Sequence, residues 1–234
     1  MSYKSTMKTM ISFLSTILAV PLIILLTLQF GPRKYYLISF AVVLLAILSF
    51  FLSFENRKPQ AKEIVVIAVM SSIAVAGRAA FIAVPFFKPV AGIVIITGVA
   101  LGAQAGFLCG SISMLVSNFI FGQGSWTPWQ MAAFGAIGFL SGLVFYKKPV
   151  RQRPICIAIS GAFLVMLVVG PILDMSGLFM ATQMPDTAAA IGVLMAGLPV
   201  NAIQACSTLF FVLVLAKPIL EKLDRIKIKY GMME

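Results

Sequence analysis

The sequence predicts an all-α membrane protein, a polytopic helix bundle with about eight spanning segments. Three observations predict it. Of 234 residues, 61% are hydrophobic and 11% charged, with a mean hydropathy of +1.05, a balance that no soluble globular domain carries. The apolar residues fall into runs of about 20, the length that crosses a bilayer as a helix. The basic residues segregate, fourteen of the eighteen Lys and Arg lying beside alternate ends of those runs.

Residues 10–30 form the first run, kinked at Pro21; its length and lack of a small-residue cleavage site favour a retained span over a signal peptide. A Gly31-Pro32-Arg33-Lys34 turn leads into the second run, 35–54. The polar stretch 55–63 marks the main boundary, between an N-terminal two-helix appendage (1–61) and a six-helix core (62–220). The core runs from Ile64 to Phe81, then through a loop at 82–90, a short apolar segment at 90–101 and a fuller one at 103–121, with Gly102 between them. Gly102, Gly106 and Gly110 repeat every four residues, and Gly135, Gly138 and Gly142 give the 130–146 helix a similar face, so neighbouring helices can approach closely. The last two spans are 154–173 and 190–216, joined by a loop at 174–189. The basic tail (221–234, its approach beginning at Lys217) carries Leu220, Leu223 and Ile226 among cations, the pattern of a short helix lying on a bilayer.

Topology follows from the charges. Lys4, Lys8, Arg57, Lys58, Lys62, Lys147, Lys148, Arg151, Arg153, Lys217, Lys222, Arg225, Lys227 and Lys229 collect on one side; Arg33, Lys34 and Lys88 lie on the other, and Arg78 is within a span. The rich side is then cytoplasmic and both termini are inside. The net charge of +11 is thereby explained as a topology signal, with no nucleic-acid partner needed. The loops 82–90, 122–129 and 174–189 face outward.

Between two spans, residues 118–131 interrupt the apolar sequence with Gly122, Gly124, Pro128, side-chain amides and both tryptophans, Trp126 and Trp129. Such a loop fits an interfacial anchor, since tryptophan favours headgroup depth. It equally fits one wall of a ligand site opening outward. Arg78 is costly inside a span and either snorkels to the headgroups or faces the bundle interior. On its helix Ala68, Ser72, Ala76 and Ala80 form a four-residue ladder; two residues turn a helix by about 200°, so Arg78 points away from that smooth face. The ladder suits either packing within the chain or a partner's helix. Asn118, Asn201 and Gln204 read as cavity-lining amides or as interhelical glue, and Asp174 as a solvated acid at a helix end.

Several chemistries are excluded by what is missing. The chain has no histidine, no Walker-type Gly-Lys-Ser/Thr loop and no paired intramembrane acids, so neither its own ATP site nor a His-dependent hydrolase is expected. Cys109, Cys156 and Cys206 are unpaired in spacing and sit in apolar runs, so they read as packing residues. No catalytic residue, metal site or cofactor is expected.

In order, the stretches Gly77-Arg78-Ala79-Ala80-Phe81, Phe87-Lys88-Pro89-Val90, Gly106-Phe107-Leu108-Cys109-Gly110, Val116-Ser117-Asn118-Phe119 and Phe121-Gly-Gln-Gly-Ser-Trp-Thr-Pro-Trp-Gln-Met131 resemble the substrate-binding S components of energy-coupling factor (ECF) vitamin transporters. The resemblance covers 62–220. It implies a six-helix bacterial plasma-membrane protein that captures a vitamin outside, under a closing loop at 82–90. It also implies docking on a membrane coupling subunit served by two ATPase subunits, through the stripe Ala68, Ser72, Ala76 and Ala80. Carried onto this sequence, Arg78, Asn118, Trp126, Trp129 and Gln130 form the vitamin pocket and Phe86 and Phe87 gate it. The vitamin is the transported substrate, not a cofactor. The tryptophan loop is most similar to that of cobalamin or corrinoid-type members; riboflavin or another vitamin is the alternative. Two departures stand out: the extra helices at 10–54, and Ser72 where alanine is expected. Outside transport, the rivals are a non-transporting scaffold anchored by the tryptophan loop and a lipid-modifying enzyme with Arg78 on a phosphate headgroup.

Overall fold

The computed structural model describes residues 60–181 and 186–231, together with six positions between 41 and 48. Those six are helical, and Val43 and Ile47 among them are buried in the core. The predicted span 10–30, the rest of 35–54, the charges at Arg57 and Lys58, and the role of the appendage lie outside the described residues.

Every regular element among the described residues is helical: α1 (Ala61–Ala80), α2 (Val90–Leu101), α3 (Ala103–Phe121), α4 (Thr127–Phe145), a 3-10 turn (Pro149–Gln152), α5 (Pro154–Leu164), a π turn (Val165–Val169), α6 (Gly170–Ala181) and α7 (Thr187–Tyr230). The helices α1, α3, α4, the continuous stretch Pro154–Ala181 and α7 are each long and apolar enough to cross a membrane, and α2 is a shorter apolar helix. The chain is a multi-pass helical bundle.

Helix α2 is apolar on every side, and all twelve of its residues are buried. It packs against α1, α3, α4 and α7. It stops at Gly102, whose φ of 100° ends the helix and starts α3 in a new direction. The two glycine stripes seen in the sequence face one another. A Cβ at Gly106 would run into the Gly138 carbonyl and one at Gly138 into the Gly106 carbonyl, while one at Gly110 would meet the carbonyl of Phe134. The α3 and α4 backbones therefore touch directly, and dispersion between close backbones holds the pair where lipid offers no hydrophobic drive.

Two sequence expectations change here. The span predicted to end at 173 continues as helix to Ala181, so most of the expected loop 174–189 is α6. Its π turn lies just before Gly170-Pro171, where proline has no N–H for the Leu167 carbonyl and the helix widens to accommodate it. The second change concerns the tail, which is no separate helix on the bilayer. It continues α7, 44 residues and about 66 Å long. Leu220 and Leu223 are buried against the bundle, Lys227 Nζ donates to the Ala100 carbonyl at the end of α2, and Arg151 pairs with Asp224 at 2.6 Å. Lys62 on α1 adds a bond to the Tyr230 carbonyl at 3.0 Å. The apolar stripe is real; its partner is this protein's own helix ends.

Candidate functional site

Opposite that basic end, α1 brings Arg78 to its last turn and α3 brings Ser117 and Asn118 to its own. Arg78 turns inward. Its Nη1 donates to Ser117 Oγ at 2.5 Å and Asn118 Oδ1 at 2.9 Å, with Met114 Sδ at 3.8 Å. The snorkelling alternative is not what the structure adopts. Because guanidinium only donates, the amide oxygen of Asn118 must face it, which leaves the amide nitrogen for the other side. Asn118 Nδ2 donates to Gln130 Oε1 at 2.8 Å and to Thr127 Oγ1 at 3.0 Å. The Thr127 hydroxyl donates to Gln123 Oε1 at 2.9 Å and accepts from the Gly124 N–H at 3.3 Å. Asn118 is 1% exposed, with both amide hydrogens and its oxygen in use. One buried side chain thus ties α1, α3, the tryptophan loop and the first turn of α4 together.

The two tryptophans part company. Trp129, on α4, is 2% exposed and packs against Phe179 of α6 at a ring separation of 6.0 Å. Its place is the core, which corrects the interfacial-anchor reading for this residue. Trp126 is 41% exposed and lies across Gly124, where a Cβ would overlap its ring. Ser125 Oγ reaches Met180 Sδ at 3.2 Å, so the loop also touches the end of α6. Of the residues expected to form a pocket, Arg78, Asn118 and Gln130 share one network, whereas Trp126 lies on the loop surface and Trp129 in the core.

The loop at 82–90 is held down on α7. Phe87 N–H donates to the Pro85 carbonyl at 2.7 Å across Phe86, whose φ is 59°. A bulky residue in the left-handed region is strained and needs its surroundings to hold it. The turn sends the two phenylalanines different ways. Phe86 is exposed, whereas Phe87 joins Phe210 and Phe211 at 5.8 and 5.4 Å, with Phe81 edge-on to Phe211 at 5.1 Å. Ser207 Oγ donates to the Lys88 carbonyl at 3.0 Å and fixes the loop further. The Lys88 ammonium lies 4.7 Å from the Phe121 ring centre, and the Arg78 guanidinium 4.5 Å from the same ring. Partial burial, and then the nearby Arg78 charge, push Lys88 below the ordinary lysine range.

Asp174 is another correction. It lies inside α6, half-buried, and accepts from Asn201 Nδ2 at 2.8 Å. Gly197 makes this possible, because a Cβ there would collide with the carboxylate. The signal was legible only after the fact: Gly197 and Asn201 sit one turn apart on α7, facing a carboxylate from another helix. Asn201 is thus bonded across helices, the interhelical-glue reading. Sequence reasoning also left Ser117, Thr127, Gln123 and Lys88 unassigned, although Ser117 adjoins Asn118 and Thr127 lies between the tryptophans.

On the far side of α1, Ala68, Ser72 and Ala76 line a shallow open groove of about 490 Å³ with Val65, Val69 and Ile73. All six are exposed, as is Ala80, and the Ser72 hydroxyl is turned back onto the Ala68 carbonyl at 2.9 Å. This explains how serine keeps the stripe apolar. The face is not covered by the described part of the chain, and Arg78 lies on the other side of the helix, as the helical angle requires.

Residues 58–223 match the model of a family described as ECF-type riboflavin transporter, S component. No curated protein and no solved structure matches the chain.

Proposed function

The chain belongs to the S components of ECF-type riboflavin transporters, and from that premise we propose that it captures a flavin-type vitamin at the tryptophan-loop end for import. The observation that carries this reading is the network Arg78–Asn118–Gln130/Thr127, beside a cluster of four phenylalanines. A flat heteroaromatic ring with carbonyl and N–H edges suits such a setting: aromatic faces for its area, amides and a guanidinium for its edges. In this reading the remaining donors of Arg78 and Gln130 hold the polar edge, and the saturated, buried Asn118 positions both. Trp126 borders the ring system, Trp129 supports that wall from within the core, Phe86 acts as the lid and Phe87 as its anchor. The corrinoid expectation draws no support from the family description, which names riboflavin, so a flavin becomes the favoured substrate.

The remaining parts of the reading follow from the same premise. The groove face of α1 (Ala68, Ser72, Ala76, Ala80) docks on a membrane coupling subunit that two ATPase subunits drive; the chain carries no nucleotide-binding loop of its own. The tryptophan-loop end faces outward and the basic end, with both termini, faces the cytoplasm, as positive charge directs. Binding loads the site outside; docking and tilting within the bilayer then present it inside.

The test is a titration of the purified protein in neutral detergent with riboflavin, cobalamin and cobinamide, read by ligand fluorescence or absorbance and by native mass spectrometry. Saturable riboflavin binding, weakened at least about tenfold by Asn118→Leu, is the expected result. Corrinoid binding without flavin binding would transfer the role to the other vitamin class. Binding of neither, with the fold intact, would end the capture reading.

A further inference from the structure

Two cations share one ring at the tryptophan-loop end. Arg78 and Lys88 both lie over Phe121, so they stand at most about 9 Å apart and repel one another. Among the described residues neither forms an ion pair. The described acids are committed elsewhere: Asp174 to Asn201, Asp186 to the first turn of α7, and Asp224 to Arg151, while Glu63 and Glu221 belong to the basic end. Arg78 is met only by neutral groups, through Nη1 alone. Lys88 is positioned by its backbone, since Ser207 holds its carbonyl and Pro89 begins the turn into α2. Neutral acceptors satisfy hydrogen-bond geometry but leave two positive charges uncompensated in a partly dry site. A neutral vitamin has no need of such a pair.

We propose that Arg78 and Lys88 form an oxyanion subsite, so that the preferred ligand carries a phosphate or carboxylate beside its ring system. The inference rests on the capture reading and narrows it. A guanidinium offers a planar fork of donors to an oxyanion, and an ammonium a mobile point charge; together they suit a phosphate that enters beside the Phe121 ring. The same oxyanion chemistry is available from an outer-leaflet phospholipid headgroup.

The experiment compares riboflavin with its 5′-phosphate on the full chain in neutral detergent, at low and high salt, for the native protein, Lys88→Gln and Arg78→Gln. The phosphate ester is expected to bind about 10- to 100-fold tighter than riboflavin, an advantage that shrinks with salt and is largely lost in either variant. Lys88→Gln keeps the inward hydrogen bonds of Arg78, so it decides the matter even where Arg78→Gln fails to fold. If riboflavin binds and its phosphate binds no tighter, the oxyanion subsite is wrong and the capture reading stands. If neither flavin binds to folded protein, flavin capture fails. The subsite then rests on native mass spectrometry from nanodiscs of phosphatidylglycerol against phosphatidylcholine. Retention of the anionic lipid that Lys88→Gln abolishes upholds it with a headgroup as occupant; equal retention overturns it.

Discussion

Replacing Asn118 with leucine removes one side chain and three hydrogen bonds, yet leaves a group of similar volume in a site that is 1% exposed. The losses are unequal. Arg78 keeps Ser117, and Thr127 keeps Gln123 and the Gly124 N–H, whereas Gln130 Oε1 loses the donor it has here. A hydrogen bond to a charged group is worth about 1.5–3 kcal/mol and a neutral one about 0.5–1.5 kcal/mol. With the Arg78 and Gln130 terms counted in full and Thr127 discounted, Asn118→Leu should destabilise the protein by about 3 kcal/mol. At about 2–4 °C per kcal/mol for a chain of this size, the melting temperature falls by roughly 6–12 °C. Asn118→Asp is the informative partner. Its carboxylate still accepts from Arg78, now with full charge, and the Gln130 amide can rotate to donate, so the loss should stay within about 1 kcal/mol. Thermal unfolding in neutral detergent, followed by tryptophan emission, reads both. If Asn118→Leu melts within about 2 °C of the native protein, the network holds nothing together and the account of this site is refuted.

Gly106→Ala should cost about 1–3 kcal/mol, because its methyl meets the Gly138 backbone, which cannot yield as a side chain does. Gly177→Ala, with open space around it on α6, should be neutral or slightly stabilising; equal melting of the two variants would contradict backbone contact between α3 and α4. Trp129→Ala should destabilise by about 3–5 kcal/mol, while Trp126→Ala leaves melting nearly unchanged and lowers vitamin affinity instead. A large melting loss on removing Trp126 would undo that division. Ala76→Leu fills the outer groove of α1, so it should leave melting and vitamin binding as they are and abolish co-purification with the coupling subunit. Intact co-purification would remove the groove from the proposed docking face.

Much of this protein was legible in its sequence, and the reason is local geometry. The break between 90–101 and 103–121 was readable because a glycine between two apolar runs permits a backbone turn that other residues resist, and Gly102 takes it. The direction of Arg78 was readable because 100° per residue sets it against the Ala76/Ala80 stripe whatever the helix packs on. The glycine repeats on α3 and α4 announced close approach, though not that they meet each other. What lay beyond the sequence were the partners that distant segments supply. Leu220, Leu223 and Lys227 mark an inward stripe, but an apolar stripe reads alike whether it meets lipid or protein, and only the packed bundle puts it on the end of α2. Trp129 looked like its neighbour Trp126 until Phe179 covered it. Asp174 looked solvated because Gly197 and Asn201, which receive it, come from another helix. The single chain therefore determined which runs must leave water and on which face of its helix each residue stands. The tertiary structure decided what they leave it for, since burial is a property of one side chain and pairing is a property of two.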